Sequence, residues 1–489
     1  MDSSPKPLVT RIQEKLAASR FFTFSALLHV VLVIMGGSVV LFKQYVEPPD
    51  FVSEGGGLVT GEVSVQPPTE QPPDMTEQAF TPEQPSITAP ALDSITTMGA
   101  NSSFTMAAPP PVRTLATNAN AAMTNVSANL SKGVATGLPA SMAGRAGGQR
   151  ATVAAKAGGK EKSEKAVMAG LRWLKQNQNE DGSWSKTQHK PAMTGLAILC
   201  FLGHGELPES PEFGPTVKKG IDWLLARGTE FEGRMSLTKE GWGGHHGVYE
   251  HGIATYALSE YYTMTKDERV AELLKLAVGH IVTGQAPDGG WHYSFAKKPD
   301  SDTSVSGWQI QALKAAHLSG LGIPGVDEAL DKAMVNLKRV QTPNGNFHYT
   351  KPGDRGEYPG LVGVGVLCTY FWKQDRGDKV VRQGIDFMLD RKHGDLDYKG
   401  DNSDLYAWYY NTQAALMYGG SAWTKWNRMF QDQVADNQSP DGSWPPVLAK
   451  GAHGAALLQK ADDEGPIYRT TLCVLMLEVF YRYMPTTKG

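Results

Sequence analysis

"NQSPDGSWPP", residues 437–446, sets a Gln, an Asp-Gly pair and a Trp into a polar stretch just after a helix-like run. Surface turns rarely carry a Trp, whose large apolar area belongs in a core. Versions of the same stretch stand at 176–184 ("QNQNEDGSW") and 284–291 ("GQAPDGGW"). A turn that carries its own apolar plug and recurs along the chain marks stacked units, each burying its face only against its neighbours.

Each such turn follows an amphipathic run with a G-x-x-W/F-L/M pattern, seen in "GLRWLKQ" (170–176), "GIDWLLA" (220–226) and "GIDFMLD" (384–390). The turn aromatics are Trp184, Trp242, Trp291, Phe347, Tyr398 and Trp444, separated by 58, 49, 56, 51 and 46 residues. After each comes a second, more apolar run, among them "TGLAILCFLG", "SGWQIQALKAAHLSG" and "IYRTTLCVLMLEVFY". In the first runs Val167, Leu171 and Leu174 repeat at helical spacing with charges between them, so one face meets water. The second runs are apolar nearly all round and so are buried on most sides. The pattern predicts an all-α fold, an (α/α)6 toroid of six helix pairs over 161–489, with outer amphipathic and inner apolar helices. In the turn, Gln and Asp supply polar partners for the helix end, and Gly permits positive φ. The Trp folds back between units with its N–H on a nearby carbonyl.

These repeats resemble the QW repeats of the squalene cyclase and protein prenyltransferase superfamily, over about 330 residues. The resemblance implies an α/α toroid. It does not decide function, because that toroid carries cyclases, lipid transferases and non-enzymatic binding modules. A class II cyclase implies a D-x-D-D-T motif, whose nearest counterpart here is "PDSDTSVSGW" (299–308). Asp302 and Thr303 match its end, but Ser301 stands where a second acid belongs, and one carboxyl alone lacks the partners that hold it protonated. Asp302 therefore reads first as a helix cap. A prenyltransferase implies a zinc thiolate, and the corresponding position is Ser304. "GGHHGVYEHG" collects His245, His246, Glu250 and His251, a spacing that permits a metal but also suits a Gly-rich turn; no metal or cofactor is assigned.

Inner helices of a toroid aim their N-termini at the mouth of a central cavity. Residues at those starts are Glu250, His251, Asp302, Tyr358, Asp404, Tyr468 and Arg469, a polar rim over an apolar interior that suits an elongated, partly polar ligand or a peptide.

The chain of 489 residues carries 47 Lys+Arg against 50 Asp+Glu, which argues against nucleic acid. Cys200, Cys368 and Cys473 lie in apolar runs and in no metal-binding spacing. Residues 21–42 are uncharged and long enough to span a bilayer, which predicts a transmembrane helix over 21–43. Lys6, Arg11, Lys15 and Arg20 before it place a cytoplasmic tail at 1–20 and the rest outside. Ser25 and His29 stand four apart on one helical face. With the Pro-rich stretch beyond, they resemble the anchor of TonB-type energy transducers, which implies an envelope partner. Residues 44–160, rich in Pro, Ala and Gly, read as a disordered linker with a reach of about 60 Å. The reading is a membrane-anchored, extracytoplasmic toroid that binds a protein, peptide or lipid-like ligand without catalysis. One alternative is a diverged isoprenoid cyclase using Asp302; another is a component of an energy-transducing envelope complex.

Overall fold

The computed structural model describes residues 140–483, apart from 187, 237–241, 243–245, 355–358, 391–395 and 449–454. The anchor at 21–43 with Ser25 and His29, the tail at 1–20 and the rim residue Tyr358 lie outside the described residues. Among those described, the structure is helical throughout, with isolated bridges at Trp291–Asp302 and Gln341–Phe347 as its extended contacts. No described helix is long and apolar enough to cross a membrane.

A short helix α1 (Arg150–Lys156) precedes six pairs. The outer helices are α2 (Glu161–Gln176), α4 (Gly214–Glu230), α6 (Glu268–Gly284), α8 (Val326–Val340), α10 (Lys379–Met388) and α12 (Gly420–Ala435). The inner helices are α3 (Lys190–His204), α5 (Gly247–Thr265), α7 (Thr303–Leu318), α9 (Val362–Lys373), α11 (Leu405–Tyr418) and α14 (Glu464–Leu477), the last preceded by α13 (Ala455–Gln459) and followed by α15 (Val479–Arg482). Each inner helix packs on the next, and α14 packs on α3, so the inner ring closes. In α2 only one stripe is buried, including Val167, Leu171 and Leu174, whereas α3 is buried at every position from Pro191 to His204. That difference assigns the two layers.

The repeated turn works by a shared geometry. Trp184, Trp291 and Trp444 are fully buried, and each indole N–H donates to the carbonyl ten residues earlier: Leu174, Ile281 and Val434, at 2.8, 2.8 and 2.7 Å. Phe347 fills the same place without the bond. The Gln does more than finish its own helix. Gln178, Gln285 and Gln438 each donate both to the Gly of their own turn and to a carbonyl of the following outer helix: Thr216, Ala329 and Ala166, at 3.0, 2.7 and 2.8 Å. Gly182, Gly289, Gly345 and Gly442 combine φ near +90° to +100° with a carbonyl of that helix so close that a Cβ would lie 2.1–2.4 Å from it. The Gly of the outer-helix pattern has a role too. Gly220 receives the Trp184 ring and Gly170 receives that of Trp444, with room for no Cβ.

The last turn therefore lands on the first helix and seals the ring. Trp173 Nε1 donates to Asp441 Oδ2 at 3.2 Å, and Ser163 Oγ donates to Gln431 Oε1 at 2.8 Å across the same seam. Two repeat positions depart from this geometry. Trp242 is half-buried and sits edge-on to His251, His280 and Phe295. The Tyr398 hydroxyl donates forward to the Pro445 carbonyl at 2.9 Å.

The folded part begins before residue 161, inside the stretch 44–160 that the composition assigns to a linker. A 3-10 turn at Ala140–Arg145 and α1 pack on the ring at the C-terminal ends of the inner helices. Arg145 is fully buried there and donates to Glu260 Oε2 at 2.8 Å and to the Arg482 carbonyl at 2.9 Å. Burial acts to raise the Glu260 carboxyl, but the Arg145 and Arg482 guanidinium groups outweigh it and hold the pKa down at about 2. Nothing in "ASMAGRAGG" announces this, because the acid that satisfies Arg145 lies 115 positions away.

Candidate functional site

The N-terminal ends of the inner helices surround a cavity of about 480 Å³. Its wall is largely aromatic: Tyr249, Tyr293, Trp308, Tyr349, Tyr406 and Tyr468, with Ala192, Met193, Leu196, Ile253 and Leu457 between them. The polar lining is Glu250, His189 and His246. Glu250, in the first turn of α5, is buried and has Oε1 3.3 Å from His189 Nδ1. His189 stands just before α3 with left-handed backbone, and its ring lies edge-on to His246 with centroids 4.5 Å apart.

Asp302 caps α7. Its Oδ1 accepts from the backbone N–H groups of Ser304 and Val305, both at 2.9 Å, and from the Ser304 hydroxyl. The side chain is 1% exposed and lies behind the lining rather than in it. Tyr249 joins the same network through Ser304 Oγ at 2.6 Å, and the Tyr293 and Tyr349 hydroxyls share a hydrogen bond of 2.6 Å. Burial first, and then the Asp302 charge, raise the pKa of all three phenols.

Of the seven rim residues read from the sequence, Glu250 and Tyr468 line the cavity, and Asp302 stands behind its wall. Asp404 caps α11 through the Ala407 N–H at 3.0 Å. Two are corrected. His251 follows Glu250 but turns away from the cavity; its Nδ1 accepts from the Met235 N–H at 3.1 Å and its Nε2 donates to the Ala277 carbonyl at 2.9 Å. Burial and the nearby His280 drive its pKa down to about 3, which keeps that pairing intact. Arg469 is buried and clasps the strap before α14, donating to the carbonyls of Trp444 and Leu458 at 3.0 and 3.1 Å. Helical periodicity explains both: adjacent residues point about 100° apart, so a run of rim positions cannot all face inward.

The sequence reading passed over His189, Trp308, Tyr406 and the tyrosines beside Asp302, and it weighed His246 as a metal ligand or turn residue rather than as part of a cavity wall. A signal existed for Tyr293 and Tyr349, each two residues after its repeat aromatic in "GGWHYS" and "GNFHYT". Equivalent positions in adjacent units meet at the wall. Among the described residues no group of three His, Cys, Asp or Glu is placed to hold a metal ion.

No family model matches the chain, and no curated protein does. Among solved structures, the α-1,6-mannanase GH76A of Salegentibacter sp. HEL1_6 is similar at 12% identity, over 66% of this chain and 99% of that one, with a TM-score of 0.47. The type II terpene cyclase MstE from Scytonema is similar at 14% identity over 65% and 98%, with a TM-score of 0.42. A protein from Actinoplanes stands at 16% identity over 65% and 99%, with a TM-score of 0.43. Similarity at this level assigns no activity to this chain.

Proposed function

We propose that the toroid binds an elongated ligand with an apolar body, a lipid-like molecule or a peptide segment, in its central cavity and does not transform it. The supporting observation is the wall itself: aromatic and aliphatic, of about 480 Å³, within the range of roughly 300–1,000 Å³ typical of small-molecule sites. Asp302, the proton donor that a cyclase would need, is committed through Oδ1 to capping its own helix and lies behind the lining. The segment 21–43 would tether this toroid outside the cytoplasm. A reporter fused after residue 60 should then be active only on the outer side; activity inside would reverse the topology.

The cyclase alternative has one observation in its favour, the position of Asp302 next to the Tyr249, Tyr293 and Tyr349 phenols. The decisive experiment is mass spectrometry of ligands extracted from the purified full chain, alongside incubation with linear isoprenoids. The binding reading expects a stoichiometric, unmodified ligand. A cyclised product made by the wild type and lost in Asp302→Asn overturns it.

A further inference from the structure

We propose that the cavity selects an organic cation, an ammonium or guanidinium group carried on an apolar body. This rests on the cavity-binding reading above and adds a charge preference to it.

The described lining contains six aromatic side chains and no Lys or Arg. Its one carboxylate, Glu250, is 4% exposed and meets an imidazole rather than a guanidinium or ammonium group. Among the described residues, Arg227, which feels the Glu250 charge, and Arg469, which reaches the Leu457 carbonyl, approach this region, and both are held elsewhere. Arg227 directs Nε and Nη2 onto the Ser236 carbonyl at 2.8 and 2.7 Å and lies over the Phe231 ring at 3.8 Å. Arg469 is held by the carbonyls of its own strap.

A ring of six helix N-termini would by itself attract anions, since each carries roughly half a positive charge. Here Glu250, Asp302 and Asp404 sit at three of those termini and offset that field. Glu464 stands at a fourth and is paired with Lys460 Nζ at 2.8 Å. With the anion preference offset at those termini, ring faces and Glu250 decide the sign. Aromatic faces present negative quadrupole charge to a cation, and a desolvated site strengthens both contacts. An anionic head of the diphosphate or carboxylate class meets no Lys or Arg in the described lining, only the His189 and His246 imidazoles and phenol hydroxyls beside the Glu250 carboxylate.

The test uses the full chain in nanodiscs, with empty nanodiscs as the blank, titrated calorimetrically at about pH 8, above the ordinary range of imidazole. Three probes share one tail: hexyltrimethylammonium, hexanol and hexanoate. The cation should bind about tenfold more tightly than the alcohol, and the carboxylate more weakly than either. Glu250→Gln should weaken the cation by about tenfold and so remove most of its lead over hexanol. Hexanoate binding as tightly as the cation, or a cation that does not outrank hexanol, overturns the charge preference while hexanol binding upholds the cavity. If none of the three binds, the cavity reading falls and the preference with it. The ranking on the wild-type chain decides the matter even where the variant fails to fold.

Discussion

Trp444→Ala tests whether the ring is sealed by its last turn. The indole is fully buried, donates to the Val434 carbonyl at 2.7 Å and packs on Gly170 of the first outer helix. Truncating a buried Trp costs about 3–5 kcal/mol, a range that takes in the cavity left behind. The orphaned Val434 carbonyl pushes the loss toward the upper part of that range. At about 2–4 °C per kcal/mol for a large domain, a loss of about 4–5 kcal/mol should lower the melting temperature by roughly 8–20 °C. Trp444→Phe separates the two contributions, since Phe347 already fills the equivalent place without an N–H. It should cost about 1–2 kcal/mol, the worth of the hydrogen bond. Urea unfolding followed by far-ultraviolet circular dichroism gives the energies, and hydrogen exchange gives the location. Amides of Glu161–Gln176 should lose protection first, because the seam joins the two ends of the repeat array. A loss under about 1 kcal/mol for Trp444→Ala, with α2 still protected, would refute the sealing argument.

Asp302→Asn should leave the fold nearly unchanged, because Asn caps almost as well, whereas Asp302→Ala should cost about 0.5–2 kcal/mol. An ultraviolet phenol titration should also show Tyr293 ionising at lower pH in the Asn variant, since burial still raises it but the Asp302 charge that adds to burial is gone. Arg145→Ala should destabilise the chain by about 3–5 kcal/mol, since it leaves Glu260 buried beside a broken pair. A near-neutral result in denaturant melts would show that the segment at 140–145 is not fastened to the ring. Stability should fall with acid in two stages. His251, depressed to about 3 from 6.5, resists the proton that the unfolded chain accepts, so its contribution is present above about pH 6.5 and is lost as pH falls toward 3. Glu260, depressed from 4.5 to about 2, contributes fully above about pH 4.5 and is lost as pH falls toward 2. Replacing His251 with Asn should flatten the upper limb of the urea-midpoint profile and leave the lower one.

The all-helical repeat architecture was legible before any coordinate, and for a local reason. Helical spacing in α2, the uniform apolarity of α3 and the Asp-Gly turn with its Trp are each written within about twenty residues. The capping role of Asp302 was legible too, since a cap bonds to amides two and three positions on. The closure of the ring was not written in any one stretch. It depends on Gly442 and Gln438 meeting Ala169 and Ala166, partners on either side of the whole toroid. The buried plug of Arg145 with Glu260, and the sorting of rim residues into cavity-facing Glu250 and outward His251, likewise awaited the tertiary structure. Local periodicity fixes which residues share a helix face. Which face looks into the cavity is decided by how six pairs rotate to close on one another, and that depends on contacts between residues far apart in the chain.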